Sequence, residues 1–195
     1  MELYKKYRPK KLKDIKENEK LVAALTKQLS NPDECPSVFL FHGGTGCGKT
    51  TLARIIANEL KVKGNDYKEI DVADFNGIET ARGIRSKMGF KAQESKFRIF
   101  VLDECHMLTG AAQNAFLKTL EDTPKHVKFI LCTTEPNKLK PTFRGRCQQY
   151  QVSQLTEDGM ISEVKEEESD KFLADLQNDS FKDKAINKIA SFIDN

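Results

Sequence analysis

The sequence is poor in everything that staples or anchors a chain. Its five cysteines, Cys35, Cys47, Cys105, Cys132 and Cys147, are scattered, odd in number and never spaced C-x-x-C. That argues against a disulfide framework and against a zinc site. Cys132 ends one apolar run and Cys105 follows another, so buried free thiols in a reducing compartment are expected. No apolar run approaches the roughly 20 residues that a bilayer requires, which leaves no membrane partner. Met1-Glu2-Leu3-Tyr4-Lys5-Lys6 carries charge without an apolar stretch behind it, so no signal peptide is expected. There is no internal repeat and no low-complexity tract.

What is present suits a soluble globular domain of the cytoplasm. The 195 residues are 38% hydrophobic and 31% charged. At roughly 150 residues per domain this allows one domain and a small appendage. Such a chain buries enough apolar surface to fold without cross-links. The net charge of +3 hides an asymmetry: residues 157–195 hold 11 acidic and 5 basic residues, and residues 1–156 hold 18 and 27. A basic body is compatible with nucleic acid, but excess lysine on a solvated surface is the commoner reason for such a charge.

Short apolar runs alternate with helical patterns. Strands are expected at residues 37–41, 67–72, 97–102, 127–132 and 148–152, with helices at about 52–60, 78–88 and 111–120. Alternation of this kind, with near-continuous apolar strands, predicts an α/β fold: a mostly parallel five-stranded sheet covered on both faces. After Ser153 the strands stop and acidic, helically spaced segments follow. The division expected is a core of residues 1–153 and a partial helical lid of residues 154–195.

The strand at residues 37–41 runs into Gly43-Gly44-Thr45-Gly46-Cys47-Gly48-Lys49-Thr50, which fits G-x-x-x-x-G-K-[ST]. Glycines let the backbone turn tightly enough to aim successive N–H groups at phosphate oxygens. The helix that follows adds a partial positive charge at its N-terminus. Lys49 is placed to reach the β- and γ-phosphates, the Thr50 hydroxyl to ligate Mg²⁺, and Thr51 to complete the nucleotide-binding set.

Hydrolysis needs a second strand. Phe97-Arg98-Ile99-Phe100-Val101-Leu102 ends in Asp103-Glu104, 54 residues after Lys49. Carboxylates at the carboxyl edge of a parallel sheet stand where such sheets bind ligands. Asp103 is assigned to the magnesium and Glu104 to the attacking water. Thr133-Thr134 ends the next apolar run, where a hydroxyl stands beside the γ-phosphate or merely opens the turn before Pro136. Arg144 and Arg146 follow, as surface charges or as a phosphate finger.

Together these residues resemble the AAA+ ATPase core of sliding-clamp loaders, the bacterial DNA polymerase III gamma/tau and replication factor C small subunits. Lys6-Tyr7-Arg8-Pro9 looks like the box that packs near the adenine in that family. Asp103-Glu104-Cys105-His106-Met107-Leu108 and Ala115-Phe116-Leu117-Lys118-Thr119-Leu120-Glu121 are similar to its Walker B strand and next helix. Residues 127–136 look like its sensor 1 segment, and Gly145-Arg146-Cys147 stands where the family has Ser-Arg-Cys. The resemblance runs from about residue 4 to residue 152. It implies that Tyr7, Arg8 and Pro9 bind near the base, that Thr134 is sensor 1, and that Arg146 acts in trans on a neighbour's ATP. It implies ATP and Mg²⁺ as ligands, other loader subunits, a sliding clamp and primer–template DNA as partners, and a bacterial or phage-infected cell as the setting.

The chain departs from that pattern in four places. The gamma subunit's zinc module is missing, since residues 61–68 hold no cysteine, so no zinc is expected. Gly145 replaces the serine before the arginine. Phe75-Asn76-Gly77 stands where the family has basic residues facing DNA, leaving backbone N–H groups or Arg82 and Arg85 for that contact. The chain ends at Asn195, before a lid arginine and a collar domain. The leading expectation is a loader's ATP-hydrolysing motor subunit. The alternatives are a nucleotide-dependent scaffold with little turnover, or another AAA+ replication or recombination ATPase such as a helicase loader.

Overall fold

Alternating apolar side chains build the sheet, since successive strand residues point to opposite faces. The computed structural model describes residues 8–15 and 17–154. Its strands are β1 (Val38–His42), β2 (Tyr67–Asp71), β3 (Arg98–Asp103), β4 (Val127–Thr133) and β5 (Gln148–Gln151). The helices are α1 (Glu19–Leu29), α2 (Lys49–Glu59), α3 (Ile78–Met88), α4 (Gly110–Glu121) and the short α5 (Pro141–Arg144). The sheet order is β2-β3-β4-β1-β5 and every pairing is parallel, so the expected α/β architecture is realised with no antiparallel strand among the described residues.

Each face of the sheet feeds its own core. Phe39, Phe41, Ile99, Val101, Ile130 and Cys132 pack with α1 and α2 through Leu25, Leu52, Ile55 and Ile56. Their neighbours in sequence, Val38, Leu40, Phe100, Leu102, Phe129 and Leu131, pack on the other face with Ala81 and Ile84 of α3 and with Ala112, Phe116 and Leu120 of α4. Central strands buried on both faces read as continuous apolar runs for this reason. Helix α1 was not anticipated. Only Leu21 and Leu25 of its residues are buried, too narrow a stripe to stand out among its charges.

Two charged side chains are built into the fold. Asp66, with no exposed surface, accepts the amides of Gln93, Glu94 and Ser95 and the Arg98 guanidinium. Burial pushes its carboxyl up, but these donors more than offset that and hold it below the ordinary range. Lys128, buried within β4, donates to the Cys35 carbonyl at 2.7 Å, and burial lowers its pKa. Four of the five thiols are buried and Cys147 is half-buried, all of them free as expected. Lys6, Tyr7 and, from residue 155 onward, the segment expected to form a partial lid lie outside the described residues.

Candidate nucleotide-binding site

The carboxyl ends of β3, β4 and β1 lie side by side, because these strands are neighbours in the sheet. Each of the three ends in a polar group. Beyond β1 the chain is gripped from both sides: the Gly43 amide donates to Thr133 O at 3.3 Å, and the Val152 amide to His42 O at 2.8 Å. A Cβ on Gly43 would stand 2.2 Å from the Val152 carbonyl oxygen, so only glycine fits that approach. The loop then turns through Gly46 and Gly48, both at positive φ (73° and 90°), a conformation glycine adopts without strain. Thr45 is exposed, Cys47 is buried, and Lys49, Thr50 and Thr51 open α2. The first-turn amides of α2, which have no partner within a helix, face this loop.

Lys49 is buried, and its ammonium donates to the carbonyls of Gly43 (3.0 Å) and Gly44 (2.8 Å). The charge is therefore held inside the loop it belongs to. Thr50 Oγ1 donates to Asp103 Oδ2 at 2.7 Å, which ties the loop of β1 to the end of β3. A hydroxyl and a carboxylate oxygen at that separation are the hard donors Mg²⁺ takes together with phosphate oxygens. The donor set fits the ion. Among the described residues no cluster of three or more His, Cys, Asp or Glu gathers as a metal site.

Glu104 has left-handed backbone angles (φ 47°, ψ 44°), a costly conformation for a residue with a side chain and one that recurs at functional sites. Its amide donates to Asp103 Oδ1 at 3.1 Å. Its Oε2 receives the Thr134 hydroxyl at 3.2 Å and stands 3.2 Å from His106 Nδ1. The two threonines take different partners. Thr134 faces the Glu104 carboxylate, while Thr133 accepts the Glu135 amide at 3.0 Å and shapes the turn.

Arg146 lies at the other edge. Gln148 pairs with Phe39 at the start of β1, so Arg146 sits beside Ser37 and Val38 in a surface recess. From there to Gly43 is roughly 20 Å along the strand. Arg146 donates to Thr142 O at 2.7 Å and to Glu121 Oε1 at 2.6 Å. Arg144 behaves differently: it bonds Asn137 Oδ1 at 3.5 Å, and its charge, after burial, lowers the His42 pKa at the end of β1. Arg8 lies within electrostatic reach of Glu69 on β2. Among the described residues neither Arg8 nor Pro9 hydrogen-bonds the loop of residues 43–51.

Comparison with known proteins matches residues 61–156 to the family model "DNA polymerase III, delta subunit" and residues 18–77 to "NB-ARC domain". DNA polymerase III subunit gamma/tau of Mycobacterium tuberculosis is 34% identical over 173 residues, covering 77% of this chain and 30% of the relative. Subunit tau of Escherichia coli is 33% identical over 78% of this chain and 27% of its own length. Subunit gamma of Buchnera aphidicola is 32% identical over 93% of this chain and 58% of its own. This chain is a homologue of the bacterial DNA polymerase III gamma/tau subunits. It spans about 30% of the length of the mycobacterial relatives.

Solved structures agree on the fold. A gamma subunit-related protein of Thermotoga maritima superposes with a TM-score of 0.62 at 22% identity, over 78% of this chain and 53% of that one. The RuvB Holliday junction branch migration motor of the same organism gives 0.67 at 23%, over 82% and 53%. The gamma/tau homologue therefore has the AAA+ P-loop nucleotide-binding fold. Its sequence points to the loop, to Asp103-Glu104 and to Thr134. It gives no sign that His106 meets Glu135, 29 positions on, or that Glu121 meets Arg146, 25 positions on, because those contacts bridge separate elements.

Proposed function

We propose that this chain is an ATP-binding and ATP-hydrolysing motor subunit of a DNA sliding-clamp loader. In that role it opens a ring-shaped clamp and places it on primer–template DNA. The observation that carries the reading is the convergence of Lys49, Thr50, Asp103, Glu104 and Thr134 at one sheet edge while Arg146 stands at the other. The gamma/tau relationship supports the loader over other machines with this fold.

The loop amides, the α2 N-terminus and Lys49 bind the triphosphate, so the ammonium trades the carbonyls of Gly43 and Gly44 for phosphate oxygens. Thr50 and Asp103 hold Mg²⁺, which, when bound, neutralises charge on the β- and γ-phosphates. Glu104 orients a water and accepts its proton. The water oxygen bonds to the γ-phosphorus, the bond to the bridging oxygen breaks, and ADP and phosphate leave. Thr134 holds the far oxygen of Glu104. Arg146 cannot serve its own loop from the opposite edge, so it acts on a triphosphate bound by the next subunit, where such a finger accelerates transfer about 10³- to 10⁵-fold. The adenine is assigned to the box that holds Tyr7, Arg8 and Pro9 on the family resemblance alone, and no zinc is used.

DNA is held through its phosphates, independently of sequence and with strong salt dependence. The amides at the start of α3 and Arg85 serve this contact, together with Arg82, whose exposed pairing with Glu79 at 2.7 Å is weak enough to be exchanged. The test is ATP turnover of the assembled loader with and without clamp and primed DNA. Stimulation by both is expected. Turnover indifferent to both, together with no clamp binding, rejects the loader role.

A further inference from the structure

His106 is almost fully buried, with 7% of its side chain exposed, and both ring nitrogens face the hydrolytic edge of the site. Nδ1 stands 3.2 Å from Glu104 Oε2 and 3.1 Å from Thr133 Oγ1. Nε2 stands 3.4 Å from Glu135 Oε1. Glu135 itself is held by Lys138 at 2.7 Å, which with the nearby imidazole keeps its carboxyl below the ordinary range.

A carboxylate has no proton to give, so the contact with Glu104 is a hydrogen bond only when Nδ1 carries the hydrogen. Nδ1 makes its hydrogen bond in the structure to Thr133 Oγ1, while Glu104 Oε2 accepts the Thr134 hydroxyl and has the imidazole N–H edge beside it at 3.2 Å. Oε1 receives no donor among the described residues. The carboxylate is thus fixed by one oxygen, with the other turned outward. Its backbone is already in the left-handed region, so the side chain has lost the freedom of an ordinary strand end.

We infer that His106 is a positioning residue for ATP hydrolysis: its Nδ1–H, together with the Thr134 hydroxyl, anchors Glu104 Oε2 so that Oε1 is the oxygen that takes the proton of the attacking water. The inference rests on the ATPase reading above and adds a residue to it. It touches neither nucleotide nor metal, so it governs the rate of the chemical step and not the affinity for ATP. Misplacing a base by even 1 Å costs about 100-fold in rate. The Glu135–Lys138 pair holds the imidazole from its far side.

The side-chain amide of asparagine overlays Nδ1, and that of glutamine overlays Nε2. The experiment therefore compares His106→Asn, His106→Gln and His106→Leu in the full chain assembled with its partner subunits. It measures kcat, the ATP dissociation constant and the thermal midpoint, with Glu104→Gln as the control. His106→Leu and His106→Gln are expected to lose kcat roughly 10- to 100-fold, with ATP affinity unchanged within about twofold. His106→Asn should recover most of that rate. The inference is overturned if asparagine is no better than leucine while Glu104→Gln still abolishes turnover, or if ATP affinity falls as far as kcat. If Glu104→Gln itself leaves turnover untouched, the ATPase reading is what fails, and the assignment of His106 falls with it.

Discussion

Arg146 bonds Glu121 within its own chain, Nη2 to Oε1 at 2.6 Å, at the sheet edge opposite the phosphate loop. The pair is partly exposed, at 28% and 54% of the two side chains, so it is exchangeable at little cost. Arg146→Ala should leave ATP binding by its own chain unchanged and lower turnover of the assembly about 10³-fold. Mixing Arg146→Ala subunits with Lys49→Ala subunits should restore activity at the one junction that joins an intact loop to an intact arginine. No recovery in the mixture rejects the in-trans assignment. Glu121→Gln should leave turnover equal to the wild type or raised.

Lys49→Ala removes the ammonium that spans the Gly43 and Gly44 carbonyls. Titration calorimetry should show ATP affinity reduced by at least about 100-fold, since charge-assisted bonds to the phosphates contribute about 1.5–3 kcal/mol each. The free protein should also melt earlier, because the carbonyls of Gly43 and Gly44 lose their donor.

Thr50→Val keeps the shape of the side chain and deletes the hydroxyl that meets Asp103. Nucleotide binding in the presence of a chelator should be nearly unchanged. The increment added by Mg²⁺ should disappear. A variant that still gains its full affinity on adding the ion removes Thr50 from the metal site.

Gly43→Ala drives a Cβ to within 2.2 Å of the Val152 carbonyl, a backbone atom that cannot swing away. Denaturant unfolding should show a loss of about 3 kcal/mol, at the upper end of overpacking costs. Gly77→Ala meets nothing within 4 Å and should stay within about 0.5 kcal/mol of the wild type.

Asp66 sets an acid limit on stability. Its folded carboxyl lies below the ordinary range, so its contribution is complete above the unfolded-state value of roughly 4. That contribution is lost as pH falls through the lower folded value, because the unfolded chain binds the proton first. Asp66→Asn should therefore be destabilised at neutral pH, by about 3 kcal/mol for leaving Arg98 without its charge partner. Its pH profile should be flatter than the wild type's below roughly pH 4.

The strands, the phosphate loop and the Asp103-Glu104 pair were legible in the sequence because each is local. An apolar run, a glycine spacing and an acidic pair depend on residues within about ten positions of one another. Helix α3 falls at residues 78–88, where its spacing put it. The α1 helix is not legible in the spacing because its buried stripe is two leucines wide. The contacts of His106 with Glu135 and of Glu121 with Arg146 are not legible, because they join residues far apart in the chain. Their partners arrive from other elements: Glu135 follows β4, and Arg146 precedes β5.

By itself the sequence determined which side chains the proposed triphosphate site draws on and in what order they occur. Only the tertiary structure decided which edge of the sheet each one occupies. Parallel pairing in the order β2-β3-β4-β1-β5 gathers the ends of β1, β3 and β4, and strands Arg146 at the far end of β5. The reason is geometric: a side chain reaches a few ångströms, a strand separates its two ends by several times that distance, and direction and adjacency within a sheet belong to no single segment of chain.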